Sequence, residues 1–216
     1  MKGISVPQKR LLRQLKTLSI TALCENDEII RRGDELEDFW YPSLPDLFLA
    51  PTQNNLRNLS LRSPDLRVGY GRPQIGLEDI AFPHLTSLEL EGLAFGDETP
   101  VEPFILRHGA TLRRLTITDC LLACPEEQIE KQEDGDEDEA GTKTVQRWGH
   151  VFDRFRRELV CLQEIDVTEF GYGEFRLDTC YLRDLLKIDR EQQRADTTAL
   201  EKLESTVRQR RDVESS

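Results

Sequence analysis

Apolar side chains fall into one short phrase that returns along the chain. In residues 112–122 Leu112, Leu115, Ile117 and Leu122 stand at relative positions 1, 4, 6 and 11, with Cys120 at position 9. Leu85, Leu88, Leu90 and Phe95 repeat the spacing, with Leu93 in the cysteine place, and Leu56, Leu59, Leu61 and Leu66 repeat it with Pro64 there. Leu162, Ile165, Val167, Phe170 and Tyr172 follow the same line, and Leu15, Leu18 and Ile20 begin one that Glu25 does not complete. Alternation over three residues predicts a short strand with one buried face. Between phrases, residues 96–109 predict a helix. Thr99 is suited to cap it, Pro100 to its first position and Gly109 to its end. In residues 144–159 Val145, Trp148, Val151, Phe152, Phe155 and Leu159 make one helical stripe, with Arg147, Arg154, Arg156 and Arg157 off it.

A strand, a turn and a returning helix cannot cover their own apolar face, but stacked copies can. The expected fold class is therefore α/β: a short, irregular leucine-rich-repeat solenoid with parallel strands and returning helices. The phrases begin at 15, 56, 85, 112 and 162. The two long intervals require insertions or a degenerate repeat between them. Residues 1–123 form the first part of the expected solenoid. Residues 124–143 form a disordered acidic insert, 144–188 the last repeat and a C-terminal closure, and 189–216 a charged helical tail. A short helix from about Ser43, broken at Pro51, leads into the phrase at Leu56. In the tail, Thr198 and Glu201 read as a capping box over a thin stripe of Leu200, Leu203 and Val207, giving a helix weakly docked or free. At the other end Leu11, Leu12 and Leu15 are expected to cover the first repeat.

Charge sharpens the boundaries. The formal net charge is −12 over 216 residues, with 38% hydrophobic and 32% charged residues. Glu126 to Glu139 holds nine acidic residues and one lysine, so −8 of that charge is local. Such a stretch has too few apolar groups to offset the entropy of ordering. Asp134, Asp136 and Asp138 have the spacing of a calcium loop, but Glu139 and Val145 occupy the places that require glycine and glutamate. The charge argues against nucleic-acid or anionic-membrane binding. Five cysteines, no apolar run of membrane length and no leader at the N-terminus point to a reduced, soluble protein of the cytoplasm or nucleus.

The search for chemistry returns structural roles. His84 precedes a strand, His108 ends a helix where a cation suits the dipole, and His150 lies on the Trp148 helix. None has a local catalytic spacing, and Cys120 and Cys124 lack the second pair of a zinc site. Cys120 is expected to bond loop backbone as a buried thiol. Gly69–Pro73 reads as a turn. Catalytic residues, metal and cofactor are not expected.

The phrases 82–95 and 103–122 resemble the leucine-rich part of fungal F-box proteins, in which a helix ending near His-Gly leads into Thr-Leu-x-x-Leu-x-Leu-x-x-Cys. Residues 56–63 and 161–175 are similar to that family's flanking repeats, so the likeness spans about 43–181. The resemblance implies a substrate receptor of a cullin–RING ubiquitin ligase, with ligase components among its partners. Residues 43–48 do not make an F-box, and a strand already at Leu18 leaves it no room upstream. The implied part is thus substrate recognition alone. The expected function is a non-catalytic, monomeric protein-binding module. A fragment that depends on assembly and a repeat-built regulator of another enzyme are the alternatives.

In a solenoid the side chains alternating with the leucines form the binding face. Three rows follow. One is Thr17, Asn58, Ser87, Arg114 and Glu164; the next is Ser19, Ser60, Glu89, Thr116 and Asp166; the third is Thr21, Arg62, Glu91, Thr118 and Thr168. Acid concentrated at Glu89, Glu91, Glu164 and Asp166 predicts a basic or polar protein segment as the partner.

Overall fold

The computed structural model describes residues 6–23, 37–64, 68–69, 74–97, 99–125, 146–176, 181–184 and 190–214. The N-terminal helix α1 (Val6–Leu12) precedes strand β1 (Thr17–Thr21). Helices α2 (Phe39–Leu49) and α3 (Ala50–Thr52) then lead to β2 (Asn58–Arg62). Next come β3 (Ser87–Glu91), β4 (Ala94–Phe95) and α4 (Val101–Arg107). They are followed by β5 (Arg114–Thr118), β6 (Leu121–Pro125) and α5 (Trp148–Glu158). The chain continues through β7 (Glu164–Thr168), β8 (Gly171–Arg176) and β9 (Tyr181–Asp184) to the long helix α6 (Arg190–Glu214).

Five strands form one wholly parallel sheet in the order β1-β2-β3-β5-β7. A second sheet, β4-β6-β8-β9, is parallel except for the β8–β9 pair. Parallel neighbours require the chain to return between strands, and α4 and α5 lie on two of these return paths. The fold is thus a mixed α/β arrangement of parallel strands and helices. β1 pairs directly with β2, and β5 with β7. Both long intervals are therefore insertions, with no additional strand of this sheet between. β6 continues through Cys124 and Pro125, which pair with Glu174 and Phe175. The strand thus extends two residues into the segment expected to be an insert. Residues 126–145, including the whole acidic stretch and the calcium-like aspartates, lie outside the described residues, as do Leu66 and Tyr70–Pro73.

The strands repeat their hydrogen bonds as well as their side chains. The carbonyl of Lys16 accepts the N–H groups of both Arg57 and Asn58. Arg57 does the same for Thr86 and Ser87, Thr86 for Arg113 and Arg114, and Arg113 for Gln163 and Glu164. At the other end Ala22, Ser63, Gly92 and Asp119 each donate to the last residue of the following strand. The chain then turns at a residue of positive φ after three strands: Gly92 (69°), Asp119 (51°) and Glu169 (53°). Gly92 is also required by space, because a Cβ there would lie 1.9 Å from the Ser63 carbonyl oxygen.

One core joins the strand leucines to the helices. Leu59, Leu61, Leu88, Leu90, Leu115 and Ile117 are buried beneath the five-stranded sheet. Val101, Phe104 and Ile105 of α4 and Trp148, Val151, Phe152 and Phe155 of α5 close it. Trp148 stacks on Phe152 with ring centroids 5.4 Å apart and packs against Phe95 at 4.9 Å. The stripe expected for residues 144–159 is this buried face, apart from Val145, which is not described.

Several local expectations are corrected. α4 begins at Val101 with Pro100 at its cap, and the Thr99 hydroxyl donates back to Gly96 O at 3.1 Å rather than to the helix. The helix ends at Arg107 with His108 at its cap, so Gly109 follows the stop as expected, and it also serves close packing: a Cβ there would meet Glu158 O at 2.4 Å. Before β2, Tyr41 is extended because it precedes proline, and helical turns run from there through Pro51. Pro51 is in the first turn of α3, where its missing N–H leaves no intrahelical bond unmade.

The tail differs most. α6 has 25 residues and docks, burying Asp196, Ala199, Leu203 and Val207. Thr198 lies inside the helix and its hydroxyl donates to Arg194 O at 2.8 Å, so it forms no capping box. At the opposite end, α1 covers only part of the first repeat: Leu12 and Leu15 are half-buried and Leu11 is 64% exposed.

Candidate functional site: the face of the five-stranded sheet

The three polar rows are held in the register read from the sequence. Thr17, Asn58, Ser87, Arg114 and Glu164 are successive pairing partners. So are Ser19, Ser60, Glu89, Thr116 and Asp166, and likewise Thr21, Arg62, Glu91, Thr118 and Thr168. The reason is the pleat: a step of one residue would bring leucines to the solvent face on every strand. Burial alternates accordingly, with Leu59, Leu61, Leu88, Leu90, Leu115 and Ile117 inward and their neighbours outward.

Charges on this face are largely matched. Arg62 bonds Glu89 on the adjoining strand, and its Nε lies 3.7 Å from Glu91, its direct partner in register. Arg114 Nε donates to Glu164 at 2.7 Å across β5 and β7. Asn58 donates to the Thr17 hydroxyl at 3.0 Å, and Thr168 to that of Thr118 at 3.3 Å. The four carboxylates stand on this face as expected, but three of them are matched by arginine. Among the described residues Asp166 alone of the four carboxylates has no ion pair. The exposed pairs orient side chains and add little stability, because water already solvates both partners.

The remaining candidates have structural places. Cys120 is buried, its thiol 3.4 Å from Thr118 O and 3.9 Å from Leu90 O, both carbonyls of strands. His108 is a correction. It is buried, its Nε2 accepts the Phe82 N–H at 2.9 Å, and Nδ1 is 2.7 Å from Phe104 O. An acceptor at Nε2 puts the proton on Nδ1, which donates to Phe104. The ring is a neutral bridge from α4 to the preceding loop, with its pKa lowered by burial, and not a helix-end cation. Glu102, also buried, joins α4 to the start of α5. It accepts from Gln146 at 2.8 Å and lies 3.0 Å from Arg154 Nε. Burial pushes its carboxyl up, and Arg154 acts against that rise. Among the described residues no group of three or more His, Cys, Asp or Glu side chains is placed to hold a metal, and no helix is long and apolar enough to cross a membrane.

Two features were missed from the sequence. The first is a fourth row, one residue ahead of the strands: Lys16, Arg57, Thr86, Arg113 and Gln163. These residues are the second position of every phrase, so extending the polar rows one residue toward the phrase starts would have found them. The second is how α6 holds α5. Asp196 accepts the Gly149 N–H at 2.8 Å and the Tyr172 hydroxyl at 2.7 Å, while the Tyr172 oxygen accepts the Trp148 N–H at 3.1 Å. Burial and the adjoining Asp196 push the Tyr172 phenol well above its ordinary pKa, so it stays a donor. At the far end Arg210 donates to the Leu159 and Arg156 carbonyls, both at 2.8 Å. An acid at the start of α5 and a cation at its end satisfy free backbone groups and complement the helix dipole. Both come from a distant helix, so no local signal in α5 announces them.

These features define a class, a parallel-stranded α/β protein with a broad polar sheet face. Compared with known proteins, the chain matches no family model, no curated protein and no solved structure.

Proposed function

We propose that this protein is a short leucine-rich-repeat solenoid that binds a segment of another protein along the face of its five-stranded sheet, without catalysis. The observation that carries the reading is the unbroken set of three polar rows across five parallel strands, backed by buried leucines. A rigid sheet that presents side chains at fixed spacing suits recognition of an extended chain. Asn58, Ser60, Arg62, Ser87, Glu89, Glu91, Arg114, Thr116, Thr118, Glu164 and Asp166 are the proposed contacts. Asp166, unpaired, is the first site for a cation of the partner. The Arg62 and Arg114 pairs would open or remain as polar contacts. The sequence likeness to F-box receptors supports a role in delivering a substrate to a cullin–RING ubiquitin ligase.

The test is purification of the tagged protein from its native cells, with mass spectrometry of what accompanies it. A distinct client is expected, lost on combined Glu89→Lys and Asp166→Lys. Cullin and its adaptor alongside that client would support the ligase role. A client retained by the double variant would remove the sheet face from the reading, and chaperones alone would overturn the binding function.

A further inference from the structure

The fourth row borders a shallow cavity of about 300 Å³, lined by Arg57, His84, Thr86, Thr111, Arg113 and Cys161 among others. Arg57 and Arg113 are exposed and, among the described residues, have no ion pair. Two unmatched guanidinium groups at one hollow are unexpected in a chain of net charge −12, whose other sheet-face arginines are matched. Their backbones are fixed by register. Arg57 and Arg113 flank Thr86, so their Cα atoms are two strand spacings apart, roughly 10 Å. The anchoring carbonyls of Arg57, Thr86 and Arg113 already accept two N–H groups each, so the rim offers cationic side chains and little vacant acceptor capacity.

We infer that this rim cavity binds an acidic segment of a partner protein, with Arg57 and Arg113 each taking one carboxylate. An extended polyproline II chain advances about 3.1 Å per residue with three residues per turn, so carboxylates three residues apart share a face and span the interval between the two arginines. Guanidinium groups bind carboxylates by paired hydrogen bonds, which makes arginine suited to this contact. A nucleic acid fits less well, because its dense phosphates would face the negative charge of the whole chain. The site is separate from the polar rows, so it does not depend on the function proposed for them.

The test uses the full chain and a fluorescein-labelled Gly-Ser peptide with two glutamates three residues apart, read by anisotropy at low salt. A glutamine version is the control, and circular dichroism checks the fold of each variant. Arg57→Glu with Arg113→Glu is expected to weaken glutamate-peptide binding at least about tenfold, while the paired lysine substitutions weaken it less. Bound peptide should also slow alkylation of the half-buried Cys161 by iodoacetamide, read by mass spectrometry on the fragment containing it. Equal binding of the glutamate and glutamine peptides would overturn the inference. So would binding that survives the double reversal, or a Cys161 rate unchanged by saturating peptide. A single-stranded oligonucleotide that binds more tightly, with the same dependence on both arginines, would replace the peptide by a nucleic acid.

Discussion

The two ends of the five-stranded sheet are built from similar edge strands and finished in different ways. Leu18 and Ile20 of β1 are half-buried, and so are Ile165 and Val167 of β7. Beyond β7 lies α6, which buries Leu203 and Val207 and secures both termini of α5 through Asp196 and Arg210. At the β1 end the described residues include only the seven-residue α1, and Leu11 and Leu23 remain 64% and 65% exposed. Edge strands need cover because their outer backbone groups are unpaired. Here one end is closed by side chains that bond backbone, and the other mainly by partial apolar contact. The closing of an edge is thus a separate device from the repeat that builds the sheet.

The contrast can be broken by substitution. Leu203→Ala should cost about 3 kcal/mol, and Leu12→Ala less than about 1 kcal/mol, because the first side chain is fully enclosed and the second is not. Urea denaturation of the two variants checks this, and equal losses would contradict the asymmetry. Asp196→Ala should cost about 2 kcal/mol, since it strips an acceptor from Gly149 and Tyr172 in a buried place. Arg210→Ala should cost about 1 kcal/mol by leaving two carbonyls at the end of α5 to water. Thermal melts of both, with α5 and α6 separating first, would sharpen the comparison.

The smallest effect is a pH dependence at His108, which belongs to neither end. Its folded pKa is lowered, so just below the unfolded value of about 6.5 the unfolded chain binds more protons. Its contribution is fully present above that value and declines as pH falls toward the folded pKa. Glu102 acts with the opposite sign: its folded pKa is raised, so its contribution declines as pH rises from its ordinary 4.5 through the folded value. Between about pH 7 and 5.5 the His108 contribution should fall, and comparing the stability slopes of the parent chain and His108→Gln over that range isolates it.

Much of the sheet could be read from the sequence because its causes are local. Leu-x-Leu alternation fixes which face is buried, and the equal phrase lengths fix which residues pair, so the rows at Ser60, Glu89 and Thr116 followed without coordinates. The helix at Trp148 was legible for the same reason. The pairing of Arg62 with Glu89 was not, because sequence shows charges and not their reach across strands. The docking of α6 was hidden too: Leu200, Leu203 and Val207 are a thin stripe, and the bonds of Asp196 and Arg210 join residues about 50 positions apart. His108 misled because a helix end suggests a cation until burial and the Phe82 N–H decide otherwise.

The carbonyls that each receive two amides, from Lys16 to Arg113, tie every strand of the sheet to its immediate neighbour. Such a set of bonds behaves like a zip fastener with one closed stop. β1 can part from β2 while the other strands keep their links, but β5 can leave only by losing partners on both sides. In deuterated water the amides of β1 would therefore exchange first, those of β2 later, and those of β3 and β5 on the timescale of global unfolding.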